Sequence, residues 1–294
     1  MTPFIRITEV WVPSSDDTWL TLAGGLFGDA TDFAMITRDL RFARGEGLPG
    51  QAWQEGRPVL LKDFDSLHFK RGLAARALGL QCAVALPVFV QERLTGVLVF
   101  FCGDASAADD EAGALELWHN DPRLTTDMTL VDGHYGGTPG AFESLSRDTF
   151  LPRGSGLPGL AWQREAAVFM EDLASAPRFL RGETAVEAGI RRGLALPCGA
   201  QTRQSYVLTL LSAARRPIAR RMESWVPDET AGELVRAFGF CEDQGRLPEG
   251  ELAGKADALV VQSFASGVPL LGEACVTIPL VSDGRVTETV ALHF

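Results

Sequence analysis

The chain has 294 residues, 46% apolar and 22% charged, and carries a net charge of −11. That is the composition of an ordinary globular protein, long enough for two or three domains. The acidic balance argues against nucleic acid and anionic membrane as main partners, because both demand a basic footprint.

No apolar run approaches the ~18–20 residues that span a bilayer. The N-terminus, MTPFIRITEVWVP, has no apolar signal core after a basic start. Five cysteines at irregular spacing, with no CxxC, fit reduced thiols rather than a disulfide frame or a zinc site. A cytoplasmic location is therefore expected.

In chain order, Ile5, Ile7, Glu9 and Trp11 alternate as a half-buried strand does. Polar residues Ser14 to Asp17 lead to a second strand near Trp19–Ala23, which predicts a hairpin. Irregular sequence follows, then Gly47-Leu48-Pro49-Gly50. A short helix is predicted at Gly50–Glu55 and a short strand at Val59–Leu61. Phe69 to Gly79 predicts a helix closed by its terminal glycine. Two apolar strands, Ala83–Val90 and Leu94–Phe101, flank the turn Gln91-Glu92-Arg93. The order β-β-α-β-α-β-β is that of an α+β module with a mostly antiparallel sheet.

The chain then repeats itself. Gly156-Leu157-Pro158-Gly159 and Trp162 restate the first block and Trp53 at one constant offset. This is a domain repeat, since solenoid periods run to roughly 20–50 residues. The opening strands ITEVWVP and ALELWHN hold Trp11 and Trp118 at matching places. The same interval, taken once more, reaches Trp225 in RMESWVP, the start of a third copy. There, ALVVQSFASGVPLL (258–271) lies over Gly47–Leu60 without gaps, with Phe264 at the place of Trp53. The stretch from Pro269 to Pro279 is far shorter than its counterpart from Pro58 to Pro87. The missing segment is the crossover helix and its loop. The predicted domains are 1–103, 104–213 and a pared-down 214–294. The third is expected to leave an apolar face open or lend it to a neighbour, and to bind no small ligand.

The run G-x-GLPG-x-AW, followed by LPV and GVLVFF, resembles a GAF domain. The resemblance covers about 5–102 in the first copy and about 114–213 in the second. It implies repeated GAF-like modules, each a central antiparallel sheet with flanking helices and a pocket between sheet and connecting helices. It implies a non-catalytic small-molecule sensor or scaffold in bacterial signal transduction, with a ligand in domain 1 or 2 and a signalling protein as partner. A homodimer fits as well. It names no cofactor. The connectors 103–112 and 212–221 are too short for the coiled-coil relays common in the family, and no kinase, cyclase or helix-turn-helix sequence is visible.

The GLPG block reads as a structural turn feeding a helix, since no GKS or GKT accompanies it. Trp53 and Trp162 read as core residues of that helix, with a ligand platform as the alternative. Candidate pocket residues follow: Asp63, Phe69 and Arg71 in the first copy, Asp172, Phe179 and Arg181 in the second. A carboxylate and an aromatic ring there could orient and stack a planar ligand; the plainer reading is a loop cap and core packing. His68, Gln81 and Cys82 complete the wall of the first copy, and Arg192 stands at the place of Cys82 in the second. His68 also fits an exposed loop.

Cys82 and Cys102 open and close one predicted hairpin. Because one GAF-like family reduces free methionine sulfoxide with a set of cysteines, the resemblance implies an alternative function on this pair, a small-molecule redox enzyme of the free methionine sulfoxide reductase type. That chemistry needs an exposed, low-pKa attacking thiol and a resolving partner. The connectors carry opposite charge, with Asp109, Asp110 and Glu111 in one and Arg215, Arg216, Arg220 and Arg221 in the other. They could pair or remain solvated hinges.

Overall fold

The structure is a computed structural model; it describes residues 3–294 apart from 66–68, 104–112, 177–178, 229 and 231. The first module runs β1 (Ile5–Pro13), β2 (Trp19–Leu26), α1 (Thr31–Arg38), β3 (Arg41–Ala43), α2 (Gly47–Glu55), β4 (Val59–Leu61), α3 (Gly72–Ala77), β5 (Cys82–Val90) and β6 (Arg93–Cys102). Its sheet has the order β3-β2-β1-β6-β5-β4, antiparallel throughout. The second module repeats it with five strands, an isolated bridge between Met128 and Leu151 standing at the place of β3: β7 (Gly113–Asn120), β8 (Thr129–His134), α4 (Gly140–Arg147), α5 (Gly156–Arg164), β9 (Val168–Met170), α6 (Gly182–Glu187), β10 (Ile190–Cys198) and β11 (Ser205–Ala213). The third comprises β12 (Arg221–Asp228), β13 (Glu233–Cys241), β14 (Gly245–Arg246), α7 (Ala258–Ser266), β15 (Leu270–Leu271), β16 (Cys275–Ser282) and β17 (Arg285–His293).

The strands named from alternation and apolar runs are present. β4 has the predicted bounds, and the others extend slightly beyond theirs. The helix read over 69–79 is confined to Gly72–Ala77. The stretch read as irregular holds helix α1 and strand β3. The helix sequence, TDFAMITR, buries only Phe33, Ala34 and Thr37. Its apolar residues run consecutively from Phe33 to Ile36, with Met35 and Ile36 exposed, and such a short run is ambiguous between strand, helix and loop.

The GLPG block is the first turn of the helix itself. Gly47 and Gly156 take left-handed φ values of +58° and +63°. Gly50 lies so close to the preceding strand that a Cβ there would sit 2.2 Å from the Ala43 carbonyl oxygen; at Gly159 the corresponding distance, to Pro152, is 2.5 Å. The glycines therefore let the helix backbone touch the segment before it. In the third module α7 matches α2 residue for residue, and Gly267 closes it as Gly56 closes α2, both left-handed. From β15 the chain turns straight into β16, so nothing corresponds to α3 or α6.

The three sheets share a core. One face of each packs its helices: around Trp11, Phe33 and Phe101 in the first module, and around Trp118, Phe142 and Leu157 in the second. The opposite faces converge on one continuous cluster. Val84, Leu98 and Phe100 come from the first sheet, Leu194, Leu208 and Leu210 from the second, Met222, Ile278 and Val290 from the third. The modules thus form a three-sided prism with their sheets back to back about a pseudo-threefold axis. At one end of that axis Pro87, Pro197 and Pro279 meet around a small apolar hollow. Each large apolar side chain withdrawn from water here contributes roughly 1.5–3 kcal/mol.

The outer face of the third sheet is neither open nor lent to a neighbour. Helix α7 and the extended segment after β14 close it. Leu234 and Ala253 are joined by a backbone hydrogen bond, and Trp225, Val260 and Ala291 form a small core.

Candidate functional site

Each module buries a glutamate–arginine pair beneath its tryptophan, and in the first two the indole N–H joins it. Two positions before each tryptophan stands a glutamate: Glu9, Glu116 and Glu223, at the same interval as the tryptophans. Alternation puts both side chains on the outer face, where helices cover them. The Trp11 indole N–H donates to Glu9 at 2.9 Å, and Trp118 donates to Glu116 at 3.0 Å. An arginine then clamps each carboxylate with both guanidinium nitrogens: Arg71 on Glu9 and Arg181 on Glu116. These arginines come from the residue capping α3 and α6. Arg71 also donates to Thr37 at 2.7 Å, and Arg181 reaches Ser146. Both pairs are nearly sealed from water, and aromatic faces surround the guanidiniums: Phe33, Phe69 and Phe101 about Arg71, and Trp118, Phe142 and Phe179 about Arg181.

Burial by itself would raise the Glu116 carboxyl. The charge of Arg181 and its hydrogen bond outweigh that, so Glu116 sits below the ordinary carboxylate range. In the third module, which lacks the helix that supplies this arginine, Arg236 from β13 takes the role. Its Nε donates to Glu223 at 2.7 Å and its guanidinium lies 4.8 Å from the Trp225 ring. Burial raises Glu223, but His293, Arg221 and Arg236 pull it down to about 2. Position 236 aligns with Leu22 and Leu130 in the other modules. The ion pair is thus kept while its source in the chain has changed.

The sequence-predicted pocket residues separate on this framework. Phe69, Arg71, Phe179 and Arg181 do fall between sheet and helices, as buried members of the ion-pair clusters. They fill the space in which a ligand was expected. Asp63 caps its own loop through the Asp65 N–H at 2.8 Å, and Asp172 accepts from the Ala174 N–H and the Ser175 hydroxyl. Trp53 packs against the outer core and borders a wide surface cleft of about 970 Å³ beside Arg44, Arg93 and Gln201. Gln81 and Arg192 lie at module junctions. Gln81 contacts His134 at 3.4 Å, and Arg192 pairs with Glu242 at 3.0 Å. His68 falls outside the described residues, as do Asp109, Asp110 and Glu111. Of the connector arginines, Arg221 pairs with Glu223 at 2.7 Å and Arg216 is buried.

Cys82 and Cys102 face each other across β5 and β6. Both are fully buried and point into the shared core, not toward the helices. Burial and the neighbouring Cys82 push the Cys102 thiol well above its usual range. Among the described residues no group of three or more His, Cys, Asp and Glu could hold a metal ion, and no helix is long and apolar enough to cross a membrane.

The three module junctions are equivalent in register but not in chemistry. The residue before the short edge strand is Pro58, Ala167 or Pro269. The facing residue is Tyr206, whose ring lies 6.0 Å from the guanidinium of Arg57 next to Pro58, Gly96 against Pro269, and Glu288 against Ala167. The only one of these three positions with a backbone N–H therefore meets the only acid. Ala167 N–H donates to Glu288 at 2.9 Å, and the Ser224 hydroxyl donates to the other oxygen. Burial pushes the Glu288 carboxyl up to about 7. Glu288 and Ser224 border a cleft of about 440 Å³ between the second and third modules.

The repeated antiparallel sheets with helices on one face define an α+β protein of GAF-like modules. Residues 10–117, from β1 into β7, match the family model for the GAF domain. No curated protein matches the chain. Among solved structures, a GAF domain from A. aeolicus in an inactive state is similar at 21% identity, over 33% of this chain and 57% of that one, with a TM-score of 0.27. A free methionine-R-sulfoxide reductase from Neisseria meningitidis, in complex with its substrate, is similar at 22% identity over 33% and 52%, with a TM-score of 0.26. A GAF domain/HD domain protein from Geobacter sulfurreducens is similar at 14% identity over 35% and 65%, with a TM-score of 0.29. The chain thus covers between half and two thirds of the length of these structures.

Proposed function

We propose that this protein is a non-catalytic sensor or scaffold of bacterial signal transduction, located in the cytoplasm, that acts through a partner protein. A GAF domain supports a sensing or regulatory role. The observation that carries the non-catalytic reading is the filling of the space between sheet and helices. In the first two modules an arginine–glutamate pair and its aromatic shell occupy it, and in the third Arg236 does so. A buried pair of this kind rigidifies a core and offers a substrate no opening.

The alternative, sulfoxide reduction by Cys82 and Cys102, draws on their facing register but meets fully buried thiols and a raised Cys102. Attack requires an exposed thiolate. The test is a free methionine sulfoxide reduction assay on the wild type and on Cys82→Ser and Cys102→Ser. The scaffold reading expects no thiol-dependent turnover. Turnover that either substitution abolishes would establish the enzyme instead. Native mass spectrometry of the purified chain would then read its oligomeric state and any bound species.

A further inference from the structure

Four described glutamates are almost wholly buried: Glu9, Glu116, Glu223 and Glu288. Three are met by an arginine. Glu288 is met by a hydroxyl and a single backbone N–H, and no cation lies within ion-pair distance of it among the described residues. A carboxylate offers about four acceptor sites, so two remain unused. Burying an acid without a counter-charge is costly unless something compensates it. Glu288 lines the cleft between the second and third modules, and no cation of the described residues lies within ion-pair distance of it there.

The cleft has the form of a ligand site. Its volume of about 440 Å³ lies within the range of small-molecule pockets. Its walls are apolar: Phe169 from the second module lies nearly parallel to Phe238 from the third, with centroids 6.2 Å apart, and Phe240 lies below. Both leading rings are only half-buried. The cations that reach the cleft, Arg164 and Arg246, belong to residues exposed at its rim, and Arg246 is held there by Glu171 at 2.9 Å. The floor is thus acidic, the walls aromatic and the mouth mixed. The other two junctions have glycine and tyrosine where Glu288 stands, so this chemistry is confined to one of three equivalent places.

We propose that the cleft between the second and third modules binds a small organic amine, its ammonium group on Glu288 and its apolar or aromatic body along Phe169 and Phe238. The proposal rests on the sensor reading and replaces the family pocket, which the protein fills itself, with an intermodule one. It departs from the expectation that the third module binds no small ligand. Because the walls come from different modules, an occupant would tie their relative positions together. That is the differential interaction a ligand needs in order to shift an arrangement.

The test is calorimetric titration of the full chain with phenethylamine, set against 2-phenylethanol and phenylacetate, which keep the ring and change the head group. Phenethylamine is expected to bind, and the alcohol and the acid are not. Glu288→Gln should weaken amine binding at least about thirtyfold, while Glu171→Gln and Glu249→Gln at the rim change it less than about threefold. Val226→Trp, which fills the cleft and leaves Glu288 in place, should abolish it. Only ionised Glu288 attracts the ammonium, so affinity should fall about thirtyfold between pH 8 and pH 5.5. Equal binding of amine and alcohol, an unaffected Glu288→Gln, a dominant rim acid, or no amine binding at millimolar concentration would each overturn the proposal. Thiol-dependent sulfoxide turnover would sink the non-catalytic reading and leave these titrations unchanged; absence of amine binding would leave the scaffold reading standing.

Discussion

Replacing Arg181 by methionine keeps most of the side chain's volume and removes its charge. In the native protein Glu116 receives both guanidinium nitrogens of Arg181, the Trp118 N–H at 3.0 Å and the Tyr135 hydroxyl at 3.0 Å. Without Arg181, two neutral donors remain for a carboxylate with no exposed surface. Breaking such a pair from one side costs about 3–5 kcal/mol. That is a large part of the roughly 5–15 kcal/mol by which a domain is usually stable. Removing the charge from both sides, with Glu116→Gln and Arg181→Met, leaves an amide oxygen to accept from the Trp118 N–H and an amide N–H to donate to the Tyr135 hydroxyl oxygen, which then acts as acceptor. Replacing a whole buried pair by uncharged groups of similar volume is often close to neutral, so the double variant should return to within about 2 kcal/mol of the wild type.

The assay is urea unfolding of the wild type, both single variants and the double variant at pH 7. The pH dependence provides a second readout. The native carboxyl of Glu116 is held below its unfolded value, so the stability it contributes is present above about pH 4.5 and is lost as pH falls through the folded pKa. In Arg181→Met the sign reverses, because protonation relieves the stranded charge, and the variant should lose less stability in acid than the wild type does. A single variant destabilised by less than about 1 kcal/mol, or a double variant as unstable as the sum of the singles, would refute the reasoning.

Glu288 gives the opposite pH signature. The folded protein holds its proton to about pH 7, the unfolded chain only to about 4.5. The stability this group contributes is therefore fully present below about pH 4.5 and is lost as pH rises to about 7, by about 3 kcal/mol, and Glu288→Gln should remove that component of the slope in thermal melts. Leu196→Ala, in the core shared by three sheets, should cost about 2–5 kcal/mol. Tryptophan fluorescence should then report one unfolding transition for all modules; separate transitions would show that the core is not shared. Cys82 and Cys102 should resist a thiol-labelling reagent in the native protein at pH 8 and react once urea unfolds it. Labelling within minutes in the native state would contradict their burial.

Much of this molecule can be read from the chain alone. The GLPG blocks, the even spacing of Trp11, Trp118 and Trp225 and the short run from Pro269 to Pro279 give three modules, their α+β order and the loss of one helix. These are local or repetitive signals, fixed by turn chemistry and apolar alternation. Even Glu9, Glu116 and Glu223 carried a signal in that same spacing, which the tryptophans overshadowed. The apolar strands ALPVFV and GVLVFF also hinted at two covered faces, since a strand with one wet face alternates.

What covered the second face was decided only by the tertiary structure, because no local pattern says that three sheets turn their backs to one another. Pocket position was likewise a matter of packing. Arg71 and Arg181 stand where sequence reasoning sought a ligand wall, yet each meets a glutamate 62 or 65 residues away and closes that space. Arg236 replaces them from a strand instead of a helix cap, and Glu288 meets Ala167 across 121 residues. Pairings at such separations depend on how whole modules dock, and docking is set by the summed burial of many side chains rather than by any residue's neighbours in sequence.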